Sequence, residues 1–142
     1  MHRVSSALMF GFALTLAGLV SISNVSLSAQ NPGGSPEGKK LKNPVATSPA
    51  SIAAGKAAYT KNCAFCHGPE AKGDGKMAPK DTHPSDLTDA KWDRGATDGE
   101  IYLVLLNGAG PDFKMKGFKA PRVSETDLWN IVNYLRSVGP KK

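Results

Sequence analysis

The two cysteines of this chain lie three positions apart, at Cys63 and Cys66, and His67 follows the second one directly. There is no other cysteine in the sequence, so any thiol chemistry has to take place at this motif. A disulfide between the two would close a four-residue loop and remove little entropy from the unfolded chain. A structural zinc site needs four ligands, and the sequence offers these three residues and at best His83 as a fourth.

Two interpretations of the motif remain, a redox-active dithiol and a haem attachment site. A thioredoxin-like dithiol lies at the start of a helix that follows a strand, whereas the sequence before Cys63 predicts a helix. Cys-x-x-Cys-His is also the attachment motif for c-type haem. Two thiols at this spacing reach the two porphyrin vinyl groups, and the next residue can then place its imidazole against the iron. We therefore expect one covalently bound haem c, held by Cys63, Cys66 and His67.

The sequence divides into three parts. Residues 1–29 have the order of a secretory signal peptide: a short basic start, a fourteen-residue apolar stretch and a polar zone of small residues that ends at Ala29. The apolar stretch is shorter than the roughly 20 residues of a membrane-spanning helix. We expect cleavage and export to the periplasm, with an uncleaved membrane anchor as the alternative. Residues 30–47, rich in Pro, Gly and Lys, are typical of a flexible linker. Residues 48–142 form the domain, whose small core needs support from a cofactor.

Three helices are predicted from their caps and apolar spacing. Ser48 caps the first, with Pro49 at the first helical position. Thr97 and Glu100 form the capping box of the second, and Ser124 caps the third, which has a continuous apolar stripe. No stretch alternates as a strand requires, and the long Gly- and Pro-rich connections indicate loops that wrap something. We expect an all-α fold with three main helices and long loops around one haem.

The second axial ligand of the iron separates electron transfer from ligand-binding chemistry. Beyond the signal peptide, the sequence offers Met77, Met115 and His83. Met115 lies in the connection before the third helix, far enough from His67 to return on the opposite haem face. We therefore expect Met115 as the ligand, with Met77, His83 or an open position as alternatives.

The segment from Ser48 to Val138 resembles a class I monohaem cytochrome c. The similarity is carried by Gly55 and Tyr59 of the first helix, the haem motif CAFCHG (63–68), the methionine loop MKGF (115–118) and the last helix LWNIVNYLRSV (128–138). The resemblance implies that His67 and Met115 are the axial ligands and that the Pro79 carbonyl accepts a hydrogen bond from the His67 ring. It also implies that Ile131 and Tyr134 cross against the first helix.

Two features bear on how close the resemblance is. Lys116 stands where this family usually has a proline after the ligand methionine. The segment KDTHPSDLTDAKWDRG (80–95) resembles a bacterial subgroup that is often attached to, or serves, larger respiratory complexes.

These features predict a single-electron carrier in a periplasmic or respiratory chain, and not an enzyme. The alternatives are a haem subunit of a larger oxidoreductase, a peroxidase-like or gas-binding haem protein with a labile methionine, and a thiol–disulfide oxidoreductase. The formal net charge of +6 comes from scattered basic residues without interleaved aromatics, which does not favour nucleic acid. It is compatible with acidic redox partners, and we expect a positive collar around the methionine loop, formed by Lys114, Lys116, Lys119 and Arg122.

Overall fold

The computed structural model describes residues 34–109 and 114–140, and in these ranges it contains five helices and one two-stranded sheet. The helices are α1 (Pro36–Lys40), α2 (Pro49–Asn62), α3 (Ala64–His67), α4 (Asp98–Asn107) and α5 (Glu125–Val138). The strands β1 (Gly108–Ala109) and β2 (Met115–Lys116) pair antiparallel, with Ala109 opposite Met115. The predicted all-α fold class is confirmed, although the short β-pair was not expected. The predicted signal peptide lies outside the described residues.

The three predicted helices begin at the predicted caps. The Ser48 hydroxyl accepts the amide of the third residue along, at 3.1 Å, and Ser124 does the same at 3.1 Å. At α4 the Thr97 hydroxyl accepts the Glu100 amide at 3.3 Å, and the Glu100 carboxylate accepts the Thr97 amide at 2.9 Å. These bonds satisfy amides that have no partner within the helix, so each helix start is fixed locally. Among the described residues, none of the helices combines the length and apolar character needed to span a membrane.

The core forms where α2 crosses α5. Gly55 lies so close to α5 that a Cβ atom built on it would be 1.9 Å from the Asn130 carbonyl oxygen. One turn further along, the rings of Tyr59 and Tyr134 lie 5.2 Å apart between centroids. Ile131, which the resemblance placed opposite α2, is buried in the same core. The other buried side chains of this core include Ile101, Leu105, Leu128, Trp129, Val132 and Leu135.

Residues 34–47 differ from the flexible linker that the composition predicted. Ser35 is 1% exposed, and its amide donates to the Glu100 carboxylate at 3.0 Å. Gly38 packs against the same residue, which places α1 on α4. Asn43 then donates to the side chain of Asn133 at 2.9 Å. The segment is held through backbone groups, glycines and small polar side chains, so its lack of large apolar residues did not reveal this packing. The folded unit therefore begins before Ser48.

Candidate functional site

The Cys-x-x-Cys-His motif forms α3, a helix of four residues that is too short to be stable without outside contacts. The loop after it donates three amides to the carbonyls of α3, at N···O distances of 2.8 to 3.1 Å: Gly73 to His67, Gly75 to Cys66 and Met77 to Phe65. At the other side, the Tyr59 hydroxyl donates to the Gly68 carbonyl at 2.7 Å. The motif is therefore held by the protein's own hydrogen bonds.

The two cysteines differ in exposure and are not joined in a disulfide. Cys63 is 6% exposed, and Cys66 is partly buried. Burial, with a smaller contribution from Cys66, raises the pKa of the Cys63 thiol to about 12. A reactive dithiol needs a thiol pKa that is lowered instead. The environment of Cys63 thus argues against the thiol–disulfide interpretation.

His67 is oriented by a backbone carbonyl, but not by the one expected. Its Nδ1 lies 3.1 Å from the carbonyl oxygen of Ser85. The Pro79 carbonyl, which the resemblance implied, instead accepts the amide and hydroxyl of Thr82 at 3.1 and 2.6 Å. The Pro79 carbonyl is used within its own turn, and the carbonyl that lies beside the His67 ring belongs to Ser85, six residues further along the chain. Burial lowers the pKa of His67, and the bond to Ser85 opposes this shift. With Nδ1 as the donor, Nε2 keeps its lone pair for a metal.

One cavity of about 450 Å³ brings the predicted site residues together. Its lining includes Cys63, Cys66, His67 and Met115. A neighbouring cavity of about 310 Å³ shares His67 and Met115 and adds the apolar side chains of Leu87, Trp92, Ile101, Val104, Leu105 and Leu135. Met115 is partly buried in β2. Both cavities also include His83.

Met77, the other methionine considered as a ligand, has a different environment. Its side chain is 68% exposed, and it does not line either of the two cavities. Its backbone amide donates to the Phe65 carbonyl at 3.0 Å, and its carbonyl accepts from the Cys66 thiol at 3.6 Å. The structure therefore gives Met77 a backbone role at the motif.

The residues of the cavity fit a c-type haem. Two thiols, an imidazole with a free Nε2 and a thioether sulfur form the donor set that covalent attachment and axial ligation require. Arg94, Lys114 and Arg122 line the same cavity and complement the two haem carboxylates by charge. By contrast, no group of three or more His, Cys, Asp or Glu side chains that could hold a metal ion is found in residues 34–109 and 114–140.

Two contributors to the site were not identified from the sequence. The Ser85 carbonyl is a backbone group, so the type of side chain at that position carries no signal for it. Arg94 lines both cavities. The sequence indicated it only as an isolated arginine between Trp92 and Gly95 in the long connection. Both lie in the loop between α3 and α4, where the chain path decides which groups face the cavity.

The sequence also matches proteins of known class. A profile of the family described as cytochrome c matches residues 52–139. Cytochrome c550 of Pseudomonas aeruginosa is 34% identical over 143 residues, which cover 88% of this chain and 90% of that protein. The cbb3-type cytochrome c oxidase subunit FixP of Azorhizobium caulinodans is 29% identical over 134 residues, or 93% of this chain and 38% of the subunit. The chain thus spans well under half the length of the oxidase subunit.

Solved structures give the same fold. A chain of the reducing HAO-like protein complex of Kuenenia stuttgartiensis superposes with a TM-score of 0.59 and 27% identity, over 70% of this chain and 50% of that one. Cytochrome cL of Methylophaga aminisulfidivorans superposes with a TM-score of 0.53 and 23% identity, over 65% of this chain and 57% of its own. Because its sequence identity is below 25%, the similarity to cytochrome cL supports the fold alone.

Proposed function

Because this chain belongs to the cytochrome c family and binds one covalent haem c, we propose that it is a single-electron carrier with His67 and Met115 as the axial ligands. The observation that carries the proposal is the shared cavity, which includes Cys63, Cys66, His67 and Met115 in its lining. Haem-based electron transfer is the function of the family. The ligand pair, the free carrier role and the cellular location are what we propose for this chain.

The protein residues have separate tasks in this mechanism. Bound haem supplies the one-electron Fe(II)/Fe(III) couple. Cys63 and Cys66 would hold the porphyrin by thioether bonds, which would prevent loss of the cofactor. His67 is held in one orientation by its bond to the Ser85 carbonyl. Met115 is fixed by the pairing of β2 with β1, and its soft thioether favours the reduced iron. His67 and Met115 together would leave a bound haem no free position for oxygen or peroxide, so electron transfer would need little rearrangement.

The ligand assignment is tested with a pair of methionine variants. Met115→Ala is expected to abolish the weak red charge-transfer band that a methionine-ligated ferric haem shows. Met77→Ala is the matched control, because Met77 is 68% exposed and outside the cavity lining. Loss of the band in Met77→Ala, with the band retained in Met115→Ala, would show that the methionines are assigned the wrong way round.

We also propose that the basic collar of Lys114, Lys116, Lys119 and Arg122 steers the carrier to acidic redox partners. All four residues are exposed, and three of them line the cavity. Opposite charges raise encounter rates, and salt screens this effect over about 10 Å at 0.1 M.

The steering proposal is tested with ferricyanide, a small anionic oxidant. The double variant Lys116→Gln/Lys119→Gln should reduce ferricyanide more slowly than the wild type at low salt, and the difference should disappear at high salt. The control Lys40→Gln/Lys42→Gln removes the same charge from exposed positions at α1 and just after it. If both double variants are slowed equally, only the net charge of the protein matters, and the proposal that the collar steers the carrier is rejected.

A second candidate role is that of a haem subunit or domain partner within a larger oxidoreductase. It is favoured by the likeness to FixP, which is named as an oxidase subunit and matches 93% of this chain. We propose a periplasmic location for either role because of the predicted signal peptide, with membrane attachment if that segment is retained. Size-exclusion chromatography of the native protein separates the roles, since a free carrier elutes as a small monomer. A peroxidase-like or gas-binding role requires carbon monoxide to bind the reduced protein at neutral pH, which we do not expect.

A further inference from the structure

Gly73 lies at the contact between the turn after the motif and the segment that orients His67. Its φ is +79°, and its amide donates to the His67 carbonyl at 2.8 Å. A Cβ atom built on Gly73 would be 2.2 Å from the Pro84 carbonyl oxygen and 3.2 Å from the Ser85 carbonyl carbon. The approach of these two backbones is therefore possible only because residue 73 has no side chain.

The segment that Gly73 contacts is tied to the motif at two further points. The Leu87 amide donates to the Ala71 carbonyl at 2.8 Å. The Ser85 carbonyl lies 3.1 Å from His67 Nδ1. The contacts thus connect His67 back to itself: its carbonyl bonds Gly73, Gly73 packs against Pro84, and the Ser85 carbonyl that follows lies beside the His67 ring.

We propose that Gly73 is a positioning residue for the haem iron, because its missing side chain sets where the Ser85 carbonyl meets His67. The inference rests on the proposed function, in which His67 is an axial ligand. It goes beyond that function by assigning control of the ligand to a residue that does not itself line the cavity.

The chemical consequence follows from the hydrogen bond at Nδ1. A carbonyl that accepts this proton makes the imidazole a stronger electron donor, which stabilises ferric iron. A side chain at position 73 displaces the Pro84–Ser85 peptide and weakens the bond. The equilibrium constant for one-electron reduction then rises. A hydrogen bond of ordinary strength allows a rise of up to about tenfold, or about 59 mV for one electron.

The test compares two glycine variants of the full-length haem-loaded protein. Gly73→Ala is expected to raise the midpoint potential and to move the hyperfine-shifted Nδ1 proton resonance of His67. Gly34→Ala is the matched control, because Gly34 has a φ of +94° and its built Cβ would be 2.2 Å from the Glu100 carboxylate, a different neighbour from the Pro84–Ser85 peptide that Gly73 meets. The control should lose stability while it keeps the wild-type potential and resonance.

Further measurements keep the proposal open to refutation. If Gly73→Ala does not accumulate, Gly73→Asn replaces it, since asparagine tolerates positive φ but still carries a Cβ. A folded variant at position 73 with the wild-type potential and Nδ1 resonance overturns the proposal. So does rapid solvent exchange of the Nδ1 proton in the wild type. A wild-type protein without the methionine charge-transfer band indicates instead that the proposed ligand pair is wrong.

Discussion

Gly55 lies where α2 crosses α5, and Gly55→Ala tests how much this crossing contributes to stability. A Cβ atom at this position would lie 1.9 Å from the Asn130 carbonyl oxygen and 2.9 Å from the Tyr134 Cβ. Real Cβ atoms essentially never come within 3.0 Å of such neighbours. Because the nearest atom belongs to the backbone, a side-chain rotation cannot relieve the clash, and the two helices have to move apart.

The cost can be worked out from the contacts at the crossing. Overpacking in a core costs about 1–3 kcal/mol. Separating the helices also strains two bonds of 2.7 Å that join Ser51 to Asn130 and Asn133, each with a net contribution of about 0.5–1.5 kcal/mol. Alanine returns about 1 kcal/mol through its better helix propensity. We expect the free energy of unfolding to fall by about 3 kcal/mol, within a range of about 1–5 kcal/mol. For a domain of this size, each kcal/mol lowers Tm by about 4–8 °C.

The assay is guanidinium unfolding of the haem-loaded protein, followed by far-UV circular dichroism. Ala54→Gly serves as the control, because Ala54 is exposed on the same helix and its change costs only about 1 kcal/mol of helix propensity. Gly55→Ala should be clearly less stable than this control. If Gly55→Ala equals or exceeds the wild type in stability, the crossing is able to open without cost and the steric argument is refuted.

Three further predictions concern buried polar groups. Tyr59→Phe leaves the Gly68 carbonyl without its 2.7 Å donor and should lower the free energy of unfolding by about 1–3 kcal/mol in denaturant titrations. Asn133→Ala removes the centre of a buried network that joins residues 43–47 to α2 and α5, and we expect thermal unfolding to show a loss of about 2–3 kcal/mol. Burial of Glu100 by itself raises the pKa of its carboxyl, but hydrogen bonds from two amides and a hydroxyl outweigh burial and bring the pKa below its ordinary value. The stabilisation from Glu100 is therefore complete above about pH 4.3 and is lost as pH falls through the folded-state pKa, so Glu100→Gln should flatten the acid side of the stability profile.

The helix starts could be predicted because their causes are local. Ser48, Thr97 and Ser124 each bond an amide three residues away, so the whole interaction is visible in a four-residue window. The packing of α1 on α4 has the opposite character. It depends on Gly38 and on a bond between Ser35 and Glu100, which are 65 positions apart. Nothing in the local composition distinguishes such a docked segment from a solvated linker.

In the candidate site, side-chain groups could be predicted from the sequence and backbone groups could not. The sequence predicted Cys63, Cys66, His67 and Met115 as site residues from the chemistry of their side chains, and all four line one cavity in the structure. The groups that hold His67 are amides and carbonyls, which every residue carries, so only the path of the chain selects among them.

The long loop after the motif was expected to wrap around a bound object, and part of it folds back on the motif itself. Its alternate residues at 73, 75 and 77 donate to the carbonyls of positions 67, 66 and 65 in reverse order. This order requires the loop to run antiparallel to α3 at close range. Two of the three donors are glycines, and the Cβ atoms built on both would lie within 2.4 Å of backbone atoms. The glycines that suggested an irregular loop therefore permit two ordered contacts: Gly75 allows the approach to α3, and Gly73 allows the approach to Pro84 and Ser85.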